Sequence, residues 1–144
     1  MRVHQILKSK SDDSVVTLSP DRSISDAAKV LAERKIGTIV VSPDGETAIG
    51  ILSERDIVRE IARKGPGVLS NAVSAHMTPD PQTCARDDIA DAVLHRMTEG
   101  RFRHMPVVVS GRMIGLITLG DVVKARLAEL AMEKDALEGM IMGH

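Results

Sequence analysis

The chain has 144 residues, of which 43% are apolar, and its 19 basic and 20 acidic side chains leave a net charge of −1 at pH 7. This balance gives no overall field that would attract nucleic acid or an anionic membrane, and a single aromatic residue, Phe102, argues against binding through stacked bases. One cysteine, Cys84, excludes an intrachain disulfide. With no apolar run long enough to span a bilayer and no leader-like N-terminus, we expect a soluble cytoplasmic protein with an aliphatic core.

The first half of the chain alternates short β-prone runs with amphipathic helices. Val3, Ile6 and Leu7 have helical spacing, and a polar loop is expected at residues 9–14. The elements then expected are a strand at 15–18, a helix capped by Ser23 or Ser25, a buried strand at 38–41, a turn at 43–45, a paired strand at 48–52 and a helix at 54–63 with Ile57, Val58 and Ile61 on one side.

The same order starts again after a connection at residues 65–80. It comprises an extended piece at 82–84, a helix with Ile89, Val93 and Met97 on one face, a strand at 105–109, a turn at 110–111, a strand at 113–117 and a helix from 119 to about 137. The predicted fold class is therefore α/β (α+β), with two β-α-β-β-α repeats packed with pseudo-two-fold symmetry. The predicted organisation is an N-terminal helix and lead-in at 1–14, repeat 1 at 15–64, the connection at 65–80, repeat 2 at 81–128 and a C-terminal helix extension at 129–144.

One strand-to-helix junction occurs twice in the sequence. Ser53 to Thr118 and Asp56 to Asp121 both span 65 positions (118 − 53 and 121 − 56). A hydroxyl residue followed three positions later by an acid is a capping box in outline, which is the purely structural interpretation. The functional interpretation is that each helix N-terminus receives a phosphate and each Asp accepts hydrogen bonds from the two hydroxyls of a ribose.

The pattern Gly-apolar-x-Ser/Thr-x-x-Asp, present at 50–56 and 115–121, resembles the motif of cystathionine-β-synthase (CBS) domains. Together with the element order and the Arg103–Val108 stretch, it makes residues 15–128 similar to a tandem CBS pair, or Bateman module. The N-terminal helix and the compact length resemble stand-alone bacterial members of that family.

The resemblance implies two adenosyl sites, each shared between the repeats, with the adenine held mainly by backbone. The site on Thr118 and Asp121 would use Thr17, Ile36 and Gly37. The site on Ser53 and Asp56 would use Thr83, Phe102 and Arg103. The implied nucleotide-binding set also includes His104, Met105 and Pro106.

Arg101, Arg103 and His104 form a basic cluster before the strand of the second repeat. They could contact phosphate, or they could form a solvated edge paired with Asp87, Asp88 or Glu99. The matching place in the first repeat has no cation closer than Lys35. We therefore expect the two sites to bind unequally.

The expected function is a regulatory sensor that binds AMP, ADP, ATP or NAD(H) reversibly and changes its own or a partner's conformation. S-adenosylmethionine is compatible with the family, but the basic cluster favours a phosphate-bearing ligand. The alternative is a structural dimerisation or interaction module without a ligand. No catalytic residues, metal site or catalytic cofactor are expected, so we do not predict an enzyme.

The C-terminal helix carries an apolar stripe with heptad-like spacing. Its members are Val123, Leu127, Leu130, Leu137 and Ile141. The stripe could cover the body of its own subunit, or it could form the homodimer contact that the resemblance implies. A regulated partner protein is possible and unidentified.

Overall fold

The computed structural model describes residues 1–10 and 14–142, so part of the predicted loop at 9–14 lies outside the described residues. The helices are α1 (Val3–Ser9), α2 (Ile24–Arg34), α3 (Glu54–Lys64), α4 (Ala90–Gly100) and α5 (Leu119–Ile141). The strands are β1 (Thr17–Leu18), β2 (Thr38–Val41), β3 (Gly50–Ser53), β4 (Thr78–Pro79), β5 (His104–Val109) and β6 (Arg112–Thr118). The predicted mixed α/β class and the repeated element order are confirmed.

Contacts divide the chain into two compact units. The β1–β4 unit comprises Ser14–Gln82 and Ser110–Ile114, and the β5–β6 unit comprises Met1–Asp13, Thr83–Val109 and Gly115–His144. The N-terminal helix α1 therefore belongs to the unit that holds most of the second repeat.

The β1–β4 unit is built on a four-stranded sheet in the order β1-β2-β3-β4. Strand β1 is parallel to β2, and the β2/β3 and β3/β4 pairs are antiparallel. The inward residues Ile39, Val41 and Leu52 pack with Ile24 of α2. Its core is aliphatic, as the composition predicts.

Strands β5 and β6 are joined through Ser110 and Gly111, which have φ angles of 51° and 79°. Positive φ at both turn residues suits a tight hairpin because its twist matches that of the strands. Helix α1 contributes Val3, Ile6 and Leu7 to a core shared with α4, α5 and both strands.

The connection at 65–80 is structured. Two 3₁₀ turns, Pro66–Ser70 and Val73–Ala75, bury Val68 and Val73, and β4 then pairs with β3. The segment therefore packs on the core of the β1–β4 unit through Val73 and Leu69.

Two predicted helix faces were partly wrong. Val58 is 66% exposed while Ile57 is buried, because positions one apart on a helix point in different directions. Ile89 precedes α4 as its N-cap residue and is 52% exposed, so it does not belong to the buried face with Val93 and Met97.

Helix α5 is longer than predicted, and its apolar stripe does not cover the body of the subunit. All five stripe residues are exposed, from Val123 at 39% to Ile141 at 84%, whereas α5 buries Val122 and Ala125. None of the helices in residues 1–10 and 14–142 combines the length and apolar character that a bilayer crossing requires.

Candidate functional site

The duplicated junction forms two corners of the same geometry, one where β3 meets α3 and one where β6 meets α5. In the first, Asp56 N donates to Ser53 Oγ (3.2 Å) and Ser53 N donates to Asp56 Oδ2 (2.9 Å). In the second, Asp121 N donates to Thr118 Oγ1 (3.1 Å) and Thr118 N donates to Asp121 Oδ2 (3.0 Å). Both are reciprocal capping boxes, as the spacing of hydroxyl and acid predicts.

Each corner is tied to the chain segment that leads into the neighbouring strand. Glu54 N donates to Gly37 O and Leu119 N donates to Arg103 O, both at 2.8 Å. These bonds fix the segments before β2 and β5 against the helix starts. The predicted site residues Ile36, Gly37, Phe102 and Arg103 lie in these two segments.

The two repeats also match at the helix ends that precede these segments. Lys35 ends α2 with φ 55° and Arg101 ends α4 with φ 56°, both left-handed. In each unit the next amide, Ile36 N or Phe102 N, donates back to a carbonyl of the last helical turn. The two repeats therefore share the same backbone conformation just before the predicted site residues.

The two corners differ in the cation that neutralises the motif aspartate. Asp56 Oδ1 lies 2.8 Å from Arg59 Nη2 on the same helix, and the Arg59 side chain is 53% exposed. Asp121 Oδ2 lies 2.9 Å from Lys10 Nζ, which comes from the segment after α1 and is 21% exposed. Lys10 is not among the residues that the sequence analysis singled out.

Asp121 is ionised at neutral pH. Burial raises the pKa of its carboxyl, but the hydrogen bonds from Lys10 and from the Thr118 amide outweigh burial and leave the pKa below its ordinary value of 3.8. Among the described residues, no hydrogen bond reaches Asp121 Oδ1. One carboxylate oxygen is therefore engaged while the other can still accept.

Lys10, Arg103 and Asp121 are the charged groups of the β5–β6 unit that act electrostatically on His104. Burial lowers the pKa of its imidazole, and the positive charges of Lys10 and Arg103 lower it further. The ring is therefore neutral at pH 7. His104 can offer a ligand a hydrogen bond but brings no positive charge. In this it differs from the prediction, which made it part of a basic cluster.

Two of the three acids suggested as partners for the basic cluster make other contacts in the described part of the chain. Glu99 lies 3.1 Å from His95, and Asp88 accepts from the Ala85 amide at 2.8 Å. Arg101 is an exposed residue at the end of α4. Arg103 is also exposed, and its backbone carbonyl accepts a hydrogen bond from the Leu119 amide.

The predicted site residues fall in both units. Thr17, Ile36, Gly37, Ser53 and Asp56 lie in the β1–β4 unit. Thr83, Phe102, Arg103, His104, Met105, Pro106, Thr118 and Asp121 lie in the β5–β6 unit. Met105 is fully buried, so its side chain belongs to the core and only its backbone is left for a ligand.

Cys84 is 4% exposed and forms a parallel bridge to Val107. Burial raises the pKa of its thiol to about 12. We expect the folded protein to react with a thiol reagent at pH 8 far more slowly than the same protein in denaturant, because almost no thiolate is present. Labelling followed by absorbance checks this, and equal rates in both conditions would contradict it.

Within the residues that the structure describes, no group of three or more His, Cys, Asp or Glu side chains could hold a metal ion. The corners offer hydroxyls, carboxylates and nearby cations. Such groups bind anionic, hydroxyl-bearing molecules.

Comparison with known proteins agrees with this arrangement. The CBS domain model matches residues 6–63 and 73–128. The mitochondrial CBS domain-containing protein CBSX3 of Arabidopsis thaliana is 32% identical over 148 residues, covering 98% of this chain and 72% of that protein. The crystal structure of a CBS-domain-containing protein from Agrobacterium tumefaciens is 41% identical, with a TM-score of 0.80 over 88% of this chain and 99% of the other.

A third relative is known with a ligand. The crystal structure of CBSX2 in complex with AMP is 28% identical to this chain, with a TM-score of 0.70 over 88% of this chain and 96% of the other. Two matched CBS domains, a shared fold and the duplicated corner lead to one conclusion. The chain belongs to the CBS-domain family and carries two copies of the domain.

Proposed function

We propose that this protein is a regulatory module that reversibly binds an adenosyl nucleotide at its two corners, with AMP as the first candidate and ADP, ATP and NAD(H) as further ones. The observation that carries the proposal is the duplicated corner, with an ionised aspartate held beside a helix N-terminus. The AMP complex of the relative CBSX2 supports the choice of AMP.

The capping bonds leave the groups that a nucleotide needs. Thr118 Oγ1 accepts from the Asp121 amide, and its own hydroxyl hydrogen remains to donate to a phosphate oxygen. Asp121 Oδ1 can accept from a ribose hydroxyl while Oδ2 holds the helix start. Capping and ligand binding are thus compatible at one residue.

Each site would be completed by the other repeat. Thr17, Ile36 and Gly37 would serve the Thr118/Asp121 corner. Thr83, Phe102 and Arg103 would serve the Ser53/Asp56 corner. Pro106, which accepts from the Cys84 amide, and Met105 would offer backbone groups from β5.

A ligand held by both repeats would favour one arrangement of them. A partner protein that distinguishes this arrangement would read the ligand concentration, which is regulation by population shift. The exposed stripe of α5 would form the contact of a homodimer in the cytoplasm. The module itself would catalyse no reaction.

Calorimetry of the wild-type protein with AMP, ADP, ATP, NAD⁺ and S-adenosylmethionine tests the proposal. We expect saturable heat with AMP and a higher melting temperature, since a ligand at 100 times its dissociation constant adds about 2.7 kcal/mol to the free energy of unfolding. GMP, which differs from AMP in its base, is the control. If millimolar adenosyl ligands give neither heat nor a melting shift, the proposal fails.

A structural dimerisation module without a ligand is the second candidate. It is favoured by the capping boxes, which satisfy the corner amides without any ligand, and by the exposed stripe of α5. Under this alternative AMP would leave the melting temperature unchanged, while the protein would still form a dimer by analytical ultracentrifugation.

A further inference from the structure

Lys10 is held in place by a well-anchored segment. It follows α1, whose start is fixed by Val3 N donating to Asp88 O (2.9 Å) and His4 N donating to Arg86 O (3.0 Å). Its Nζ lies 2.9 Å from Asp121 Oδ2 and 3.0 Å from the Leu116 carbonyl. With its side chain 21% exposed, Lys10 is a part-buried bridge between α1, β6 and α5 and not a loose surface ion pair.

The described side chains around Lys10 carry more positive than negative charge. A groove of about 410 Å³ is lined by Lys10, Asp121 and Lys124 together with small and apolar side chains. Arg103 lies close enough to lower the pKa of His104 together with Lys10. Among the described side chains that line the groove, the ammonium groups of Lys10 and Lys124 therefore accompany the single carboxylate of Asp121.

The ammonium of Lys10 also has unused hydrogen-bonding capacity. It carries three N–H donors, and the contacts to Asp121 and Leu116 use two of them. Within the part of the chain that the structure describes, no further acceptor takes the third donor, which can serve a negatively charged oxygen. The positive charge also cancels the repulsion that a bare Asp121 carboxylate would exert on a phosphate attached to the same ribose.

We infer that Lys10 is a ligand-binding residue of the Thr118/Asp121 corner and makes this corner select phosphate-bearing over uncharged adenosyl ligands. The inference rests on the proposed function. The Ser53/Asp56 corner is built differently, since the cation on Asp56 is the more exposed Arg59 of its own helix. Lys10 would thus distinguish the two corners.

The test measures the ratio of AMP affinity to adenosine affinity in a protein carrying Asp56→Asn, so that the Thr118/Asp121 corner dominates the titration. Adding Lys10→Gln is expected to weaken AMP about tenfold, the size of one charge-assisted hydrogen bond, and to change adenosine less than about twofold. Lys10→Arg keeps the charge and should retain most of the ratio. Lys8→Gln, an exposed change on the same helix, should leave the ratio unchanged.

Opposite results overturn the assignment. If Lys10→Gln strengthens both ligands, Lys10 merely occupies the carboxylate that ribose needs. If the AMP-to-adenosine ratio stays constant, Lys10 does not contact phosphate. Lys10→Met, which keeps an unbranched apolar side chain, repeats the measurement should the glutamine variant fold poorly. If the wild-type protein binds AMP but Lys10→Gln leaves the ratio of AMP to adenosine affinity unchanged, only the assignment of Lys10 is wrong. If the wild-type protein does not bind AMP at all, the proposed function is wrong as well.

Discussion

Asp121→Ala is expected to lower the affinity of the Thr118/Asp121 corner for AMP by about 30- to 100-fold. Hydrogen bonds to a charged group contribute about 1.5–3 kcal/mol each, and the ribose diol would lose at least one of them. The change also leaves Lys10 without its carboxylate. Calorimetry at pH 7 measures the loss, and the carboxylate is fully ionised there because the pKa of Asp121 lies below 3.8.

The same substitution should affect stability only modestly. Loss of a capping interaction typically costs about 1 kcal/mol, and Lys10 keeps its bond to the Leu116 carbonyl when the carboxylate is removed. Asp121→Ala should therefore remain folded, with a melting temperature a few degrees lower. A loss of binding can then be separated from a loss of structure.

Asp26→Ala is the matched control because α2 begins with the same device outside the predicted site. Asp26 N donates to Ser23 Oγ (3.1 Å), and Ser23 N donates to Asp26 Oδ2 (3.4 Å). This variant should lose a similar amount of stability and keep AMP affinity. If Asp26→Ala and Asp121→Ala behave alike in both measurements, the motif aspartates are caps and nothing more.

The corners could be predicted from the sequence because their information is local. A hydroxyl and an acid three positions apart define a box within one turn, and the 65-residue repeat of Ser53 and Asp56 at Thr118 and Asp121 defines its copy. The structure shows both boxes. The strands and helices around them followed from equally local periodicity.

Lys10 could not be predicted in the same way. It lies 111 positions before Asp121 (121 − 10), in a segment that reads as an ordinary polar loop. Its contact arises only because α1 packs into the β5–β6 core through Val3 and Ile6. Burial also lowers the pKa of His104 and leaves its ring without the positive charge that was expected. The burial of a side chain at this position could not be predicted from the pattern of residue types.

Ile39→Ala is expected to lower the free energy of unfolding by about 3–4 kcal/mol. Ile39 is 0% exposed and lies on β2, between β1 and β3 in the four-stranded sheet. Removing its outer carbons forfeits their transfer free energy and leaves a cavity beside Leu52 and Ile24, which a sheet held on both sides cannot close. Urea unfolding followed by circular dichroism measures the change.

Ile114→Ala provides the same chemical change at a residue that is 46% exposed. Ile114 lies in the first part of β6, which belongs to the β1–β4 unit, as Ile39 does. Its cost should stay below about 1 kcal/mol, because solvent already covers much of the side chain and no closed cavity forms. The two variants make the same Ile→Ala change at a buried and at an exposed position, so the difference between their free energies of unfolding measures the effect of burial. Equal losses would show that the sheet of the β1–β4 unit does not form the core on which the Ser53/Asp56 corner is mounted.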